Sequence, residues 1–159
     1  MIDTRPAHME IDLDFFRENV DLVRSQMTQG AELMHVVKND AYAFGAVELA
    51  KASYELGVKY FGVATMGEAL ELREALGDAE ILVFGYNTDA MVKEAIKEDI
   101  SLLIWSYDMA LRYEKFAQYL GKTLKIHIAI DTGMHRLGFL PTEESVDEIM
   151  SITRFEHLK

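Results

Sequence analysis

Short apolar runs return roughly every 20 to 30 residues along this chain, and the segments between them carry helical patterning; no other feature constrains the fold as much. The runs begin near Leu33 (LMHVV), Tyr60 (YFGVA), Ile81 (ILVF), Ser101 (SLLIW), Lys125 (KIHIAI) and Phe155. Continuous apolar runs of this length are what strands buried on both faces look like. The intervening segments are amphipathic, as Tyr113, Phe116, Ala117 and Leu120 show. The pattern therefore reads as an α/β chain with a parallel sheet, built of five complete βα units and the start of a sixth strand. A closed (β/α)8 barrel of the TIM type needs about 250 residues and eight strands. Two architectures stay open on periodicity alone: an open doubly wound sheet, or part of a barrel.

Local signals refine this parse. A strand-like stretch is expected over Met9 to Leu13, followed by a helix that Asp14 caps and that ends near Gly30, with Phe16, Val20 and Val23 on one face. Thr65 followed by Glu68 reads as a capping box for a helix running to Gly77. Thr142 after Pro141, with Glu143 and Glu144 in the first turn, opens the last helix. No linker or low-complexity tract divides the chain, so one domain is expected over its 159 residues.

Charge and composition exclude several classes of function. With 16 basic and 27 acidic side chains the net charge is -11, which repels a nucleic-acid backbone and an anionic membrane surface. The chain has no cysteine, which removes disulfides, thiolate metal sites and cysteine nucleophiles. His8, His35, His127, His135 and His157 are scattered without metal-ligand spacing, so no metal site is expected. The opening segment lacks the basic start and apolar core of a signal peptide, and the expected location is the cytoplasm.

In either architecture the working face lies at the carboxyl ends of the strands, where two polar clusters fall. In VVKNDAYAFG, Lys38 follows its apolar run directly, and Asp40 and Tyr42 begin the next connection. A lysine there can lose part of its solvation, which frees its amine for imine formation; equally, it can be a solvated residue that merely ends a strand. In HIAIDTGMHRLGF, Asp131, Thr132, His135 and Arg136 lie around Gly133 and Gly138. An arginine fork at that end suits a carboxylate, a phosphate or a phenolate oxygen, or it pairs internally with Asp131 or with a helix terminus. Trp105, at the end of the fourth run, either lines a pocket or packs. No GxGxxG or Walker A loop supports a nucleotide-binding sheet.

Five blocks in order, RPAHMEIDLDFFRENV, VVKNDAYAFGA, FGVATMGEALELREA, ILVFG and IDTGMHRLGF, resemble the first half of bacterial alanine racemases and the related serine racemases. The resemblance runs from Arg5 to about Gly138. It implies a partial (β/α)8 barrel of the fold type III pyridoxal-phosphate class, with the remaining barrel and a β-rich carboxy-terminal domain lying outside residues 1–159. It further implies a homodimer and a small amino-acid substrate, alanine or serine, as in D-alanine biosynthesis. By position, Lys38 matches the lysine that carries pyridoxal 5'-phosphate and acts as one of two catalytic bases. Tyr42 matches the tyrosine near the cofactor phosphate, and Arg136 matches the arginine that contacts the cofactor's phenolic oxygen and the substrate carboxylate. The second base of the family is a tyrosine from the partner's carboxy-terminal domain.

The chain departs from the family pattern at Ala43 and Phe44, where Gly-His is usual, at His135, where Gly is usual, and at Ala129, where a lysine often stands. A half barrel leaves two open sheet edges, so the expectation is that this piece is inactive alone or works by association. A non-enzymatic cofactor-binding module and an inert half-barrel scaffold are the alternatives.

Overall fold

The computed structural model describes residues 8–159; Arg5, Pro6 and Ala7 of the first resembling block lie outside the described residues. The elements are α1 (Leu13–Ser25), β1 (Met34–Val36), α2 (Lys38–Ala43), α3 (Ala46–Glu55), β2 (Tyr60–Val63), α4 (Met66–Ala75), β3 (Glu80–Val83), α5 (Asp89–Lys97), β4 (Ser101–Ile104), α6 (Tyr107–Leu120), β5 (Ile126–Ile128) and α7 (Glu143–Ile152).

All neighbouring strands are parallel and their order across the sheet is β1-β2-β3-β4-β5. That order decides between the two architectures. A doubly wound sheet reverses direction at a switch point, whereas right-handed crossovers that always step the same way put every helix on one side. The order here never reverses, so the fold is the five-strand part of a barrel.

Register explains which strand residues are dry. His35, Phe61 and Ile81 stand side by side, as do Leu102 and Ile126, and Ile104 and Ile128. Phe61, Ile81, Leu102 and Ile104 are fully buried in the core with residues of the helices, and His35 stacks on Phe16 of α1 with ring centroids 5.5 Å apart. Each such apolar side chain contributes about 1.5–3 kcal/mol by leaving water. On the other face Val36, Gly62 and Leu82 align, and the ring of Phe84 covers Gly62 so closely that a Cβ there would lie 2.8 Å from its Cε2.

Helix ends follow side-chain chemistry. Thr65 and Glu68 form a reciprocal capping box on α4, as the spacing predicts, and Thr142 caps α7 by accepting from the Ser145 N–H. Ser106 caps α6, which ends at Gly121 in the left-handed conformation, and its buried face is Met109, Ala110, Tyr113 and Ala117.

Four expectations are corrected. The helix after the first segment is capped by Asp12, whose carboxylate accepts from the N–H groups of Asp14 and Phe15, so Asp14 is a first-turn acid. That cap draws Leu13 into the helix, and residues 8–12 form no strand, because β1 pairs with β2 alone among the described residues. α1 stops at Ser25, with a Thr28 carbonyl to Ala31 N–H bond tightening the turn through Gly30. Finally, the sixth strand starts later than Phe155: Leu158 bridges Leu124 in parallel, and Lys159 accepts from the Ile126 N–H at 2.7 Å. Phe155 itself packs its ring on Tyr107 at 5.9 Å.

Among the described residues no helix is long and apolar enough to cross a membrane.

Candidate active site

The chain leaves β1 through Val37, which is fully buried and donates its N–H to the Gly62 carbonyl at 2.9 Å. It then does something uncommon for L-residues. Asn39, Asp40, Ala41 and Tyr42 all take φ between +49° and +60° with ψ near +45°, so α2 is a left-handed helical turn. Ala43 follows at φ 71. Each residue of a left-handed helix costs about 1–2 kcal/mol, since Cβ crowds the following carbonyl oxygen. Strain of that size persists only where surrounding bonds over-determine it, and it concentrates at functional sites.

Those bonds are identifiable. The Ala41 N–H donates to the Val37 carbonyl at 2.8 Å and the Gly45 N–H to the Asp40 carbonyl at 3.0 Å. The Asp40 carboxylate accepts from the Ala46 N–H at 2.8 Å, tying the turn to the start of α3. From outside the segment, the Glu68 carboxylate accepts from the Asn39 N–H at 2.6 Å.

The turn brings two expected site residues together. Lys38 is half-buried, and its Nζ lies 6.0 Å from the centroid of the Tyr42 ring, which is 59% exposed. An amine and a phenol thus share the carboxyl end of β1.

Arg136 sits in the loop after β5, at the carboxyl end of the last complete strand, and is exposed. The structure places it on the same end of the sheet as Lys38 but at the opposite edge, and among the described residues it makes no ion pair. The internal Arg136–Asp131 pairing left open by the sequence is not formed. Asp131 is instead the hub of the loop. It is 8% exposed, and its Oδ1 accepts from the Gly133 N–H at 2.9 Å and the His135 N–H at 3.0 Å, while the His135 ring Nδ1 lies 3.2 Å from Oδ2. The His135 and Gly133 N–H groups hold the Asp131 carboxyl below the ordinary carboxylate range. His135, at the family's glycine position, has φ 56. The loop closes on itself through the Asp131 N–H to Phe139 carbonyl bond at 2.9 Å and the Phe139 N–H to Ala129 carbonyl bond at 2.8 Å.

Between the two clusters, Tyr86, Trp105, Ser106, Asp108, Met109 and Arg112 line a cleft of about 250 Å³ at the carboxyl ends of β3 and β4. Trp105 does both things open to it, lining this cleft and packing against the core. Arg112 pins the loop after β3 by donating to the Tyr86 hydroxyl at 2.7 Å and to the Asn87 carbonyl at 2.8 Å.

The donor set fits the cofactor that the resemblance implies. A half-buried primary amine can form an imine with an aldehyde, a neighbouring phenol can donate to a phosphate, and a guanidinium can face a phenolate or carboxylate. Among the described residues no three His, Asp or Glu side chains stand together in a metal-holding group.

Comparison with known proteins identifies the family of the fold. The family described as alanine racemase, N-terminal domain, matches residues 11–159. The alanine racemase of Methanococcus maripaludis is 41% identical over 156 residues, covering 98% of this chain and 42% of that protein. That of Helicobacter pylori strain J99 is 36% identical over 155 residues, covering 98% of this chain and 41% of the relative. Among solved structures, alanine racemase from Clostridium difficile 630 in complex with cycloserine superposes with a TM-score of 0.88 at 35% identity, over 92% of this chain and 40% of that one. Histidine racemase from Leuconostoc mesenteroides subsp. sake gives 0.83 at 27% identity, over 92% and 39%. This chain spans about two fifths of the length of the relatives it matches. Strand order, the lysine turn on β1 and the aspartate-centred loop on β5 thus coincide with a match to nearly every described residue, and the chain belongs to the alanine racemase family.

Proposed function

We propose that this chain forms the amino-terminal barrel part of a pyridoxal-phosphate-dependent racemase of a small amino acid, alanine or serine. The observation that carries the reading is the pairing of Lys38 with Tyr42 on a strained left-handed turn at the mouth of a parallel sheet, in a chain of this family.

Lys38 Nζ would hold the cofactor through an imine, Tyr42 OH would bind its phosphate, and the Arg136 guanidinium would face its phenolic oxygen and the substrate carboxylate. When bound, pyridoxal phosphate supplies an electron sink that makes the Cα–H of an attached amino acid acidic. The work left to the chain is positional. Lys38 would take the Cα proton onto Nζ. The hydrogen bonds at both ends of the turn fix the backbone that carries Lys38 and Tyr42, and so set where the amine enters the site. Racemisation needs a proton returned from the opposite face, and the family draws that group from a partner subunit. The homodimer and the cytoplasmic location belong to the same proposal.

The sheet supports one further element of it. Among the described residues β1 has no neighbour beyond β2, and beyond β5 lies the short pairing segment 157–159 and no complete strand. Exposed strand edges recruit other strands. The 159 residues by themselves are therefore proposed to bind the cofactor without turning over, activity requiring that both edges be covered.

Incubation with pyridoxal phosphate, borohydride reduction and peptide mapping test the cofactor assignment: the adduct is expected on Lys38, and equal labelling of all lysines refutes it. Solvent deuterium exchange at Cα of alanine and of serine, with the edges covered, separates racemase from binding module and selects the substrate. A Lys38→Ala variant exchanging as fast as the unaltered chain removes the catalytic role.

A further inference from the structure

From the three bonds that converge on one carboxylate, we infer that Glu68 is a positioning residue for Lys38, holding the left-handed turn in place through the Asn39 backbone. The inference rests on the reading of Lys38 as the cofactor lysine, and goes beyond it by assigning a residue on a different βα unit.

Glu68 belongs to α4, where the sequence marks it only as the third residue of a capping box. Its two oxygens do different things. Oε2 accepts from the Ala64 N–H at 2.8 Å and the Thr65 N–H at 3.0 Å, which closes the helix start. Oε1 reaches 29 residues back along the chain and accepts from the Asn39 N–H at 2.6 Å, a short charge-assisted bond. Asn39 directly follows Lys38 and opens the run of positive φ. A helical turn of either hand leaves its first N–H groups without partners inside the turn. Glu68 meets one of them, and among the described residues it is the one side chain outside Lys38–Ala46 that hydrogen-bonds this backbone. A strained segment relaxes unless bonds hold it, and this contact is the one that ties the start of the turn, next to Lys38, to another βα unit.

The chemistry supplies a clean test. A carboxylate presents two acceptor oxygens, and both are used. Glutamine presents one oxygen and one NH2 group. In Glu68→Gln the oxygen is drawn to the side with two donors, Ala64 and Thr65, and the NH2 group then faces the Asn39 N–H. The cap survives and the anchor is lost. Thr65→Ala does the reverse: it removes the hydroxyl that accepts from the Glu68 N–H at 3.3 Å and leaves all three bonds to the carboxylate.

Two readouts on the full chain are compared across these variants: amide hydrogen exchange at Asn39 to Tyr42, and the rate at which pyridoxal phosphate is trapped on Lys38. Glu68→Gln is expected to speed exchange there on the order of tenfold and to slow trapping on Lys38 about fivefold. Thr65→Ala is expected to lower the melting temperature while leaving both readouts within about twofold of the unaltered chain. Glu68→Gln with unchanged exchange, or with faster exchange and unchanged trapping, overturns the positioning role. So does Thr65→Ala matching Glu68→Gln in both. If the unaltered chain is never trapped on Lys38, the cofactor reading falls, and exchange at Asn39 still decides whether Glu68 holds the turn.

Discussion

Replacing Gly138 by alanine tests how the second cluster is built. Gly138 has φ 125, which an L-residue rarely adopts, and its missing Cβ would stand 2.5 Å from the Asp131 nitrogen and 2.7 Å from the Ile130 carbonyl carbon. Both neighbours are main chain, so no side chain can swing aside. The backbone conformation alone costs about 1–3 kcal/mol. To relieve the contact the crossing strands must part, which stretches the Asp131–Phe139 and Phe139–Ala129 bonds, each contributing about 1 kcal/mol. The expected loss is about 3–5 kcal/mol, a large share of the roughly 5–15 kcal/mol that stabilises a domain. At about 2–4 °C per kcal/mol for a chain of this size, the melting temperature falls by about 10 °C. Gly133→Ala is the matched control: φ is 124, nearly the same, and nothing lies within 4 Å of the added Cβ. It therefore carries only the conformational cost. Thermal unfolding followed by circular dichroism measures both, and equal melting temperatures for the two variants refute the backbone crossing as the cause.

Gly62→Ala meets a softer obstacle, the edge of the Phe84 ring, so it is expected to cost about 1–2 kcal/mol and to be partly rescued by Phe84→Leu in a double-mutant cycle; additive losses contradict the contact. His35, whose pKa is pushed below its ordinary 6.5 by burial, is neutral in the fold and charges more readily when unfolded, so stability declines as the pH drops below about 6.5. Urea midpoints across that range are expected to lose this slope in His35→Gln, and an unchanged slope refutes it. Asp131 acts in the same direction at lower pH: its folded pKa lies below the ordinary 3.8, so its contribution is present above that value and is lost as the pH falls through the lower folded one. Asp131→Asn is expected to flatten the acid limb of the unfolding curve below the ordinary carboxyl value of 3.8, measured by the same midpoints.

Much of this architecture is written in local pattern. The apolar runs mark each strand because these strands are buried on the helix side, and Thr65 and Thr142 mark helix starts because a hydroxyl there meets an N–H three residues on. Lys38 at the end of β1 is legible for the same reason. The left-handed turn after it is not. Asn39 and Asp40 tolerate that conformation, but Ala41 and Tyr42 do not prefer it, and what imposes it lies elsewhere, in bonds from Val37, Gly45 and Glu68. Nor could the chain announce that Glu68 serves two segments, since its second contact spans 29 residues. The choice of Asp12 over Asp14 as cap failed locally: both are good capping residues, and the one whose oxygen can reach two N–H groups wins. Arg136 remains a residue whose place in the loop is legible and whose partner lies in no pattern the chain contains.

The unreversed strand order has a consequence for how such a chain comes to exist. Each strand pairs with the strand just before and just after it in the chain, so the sheet can grow by accretion, one short crossover at a time. Loop closure at each step spans a few tens of residues and costs little entropy. Nothing already laid down has to be reopened to admit the next unit. A sheet of this kind can be assembled in the order in which a ribosome delivers it, with Lys38, just past the first strand, synthesised before Arg136.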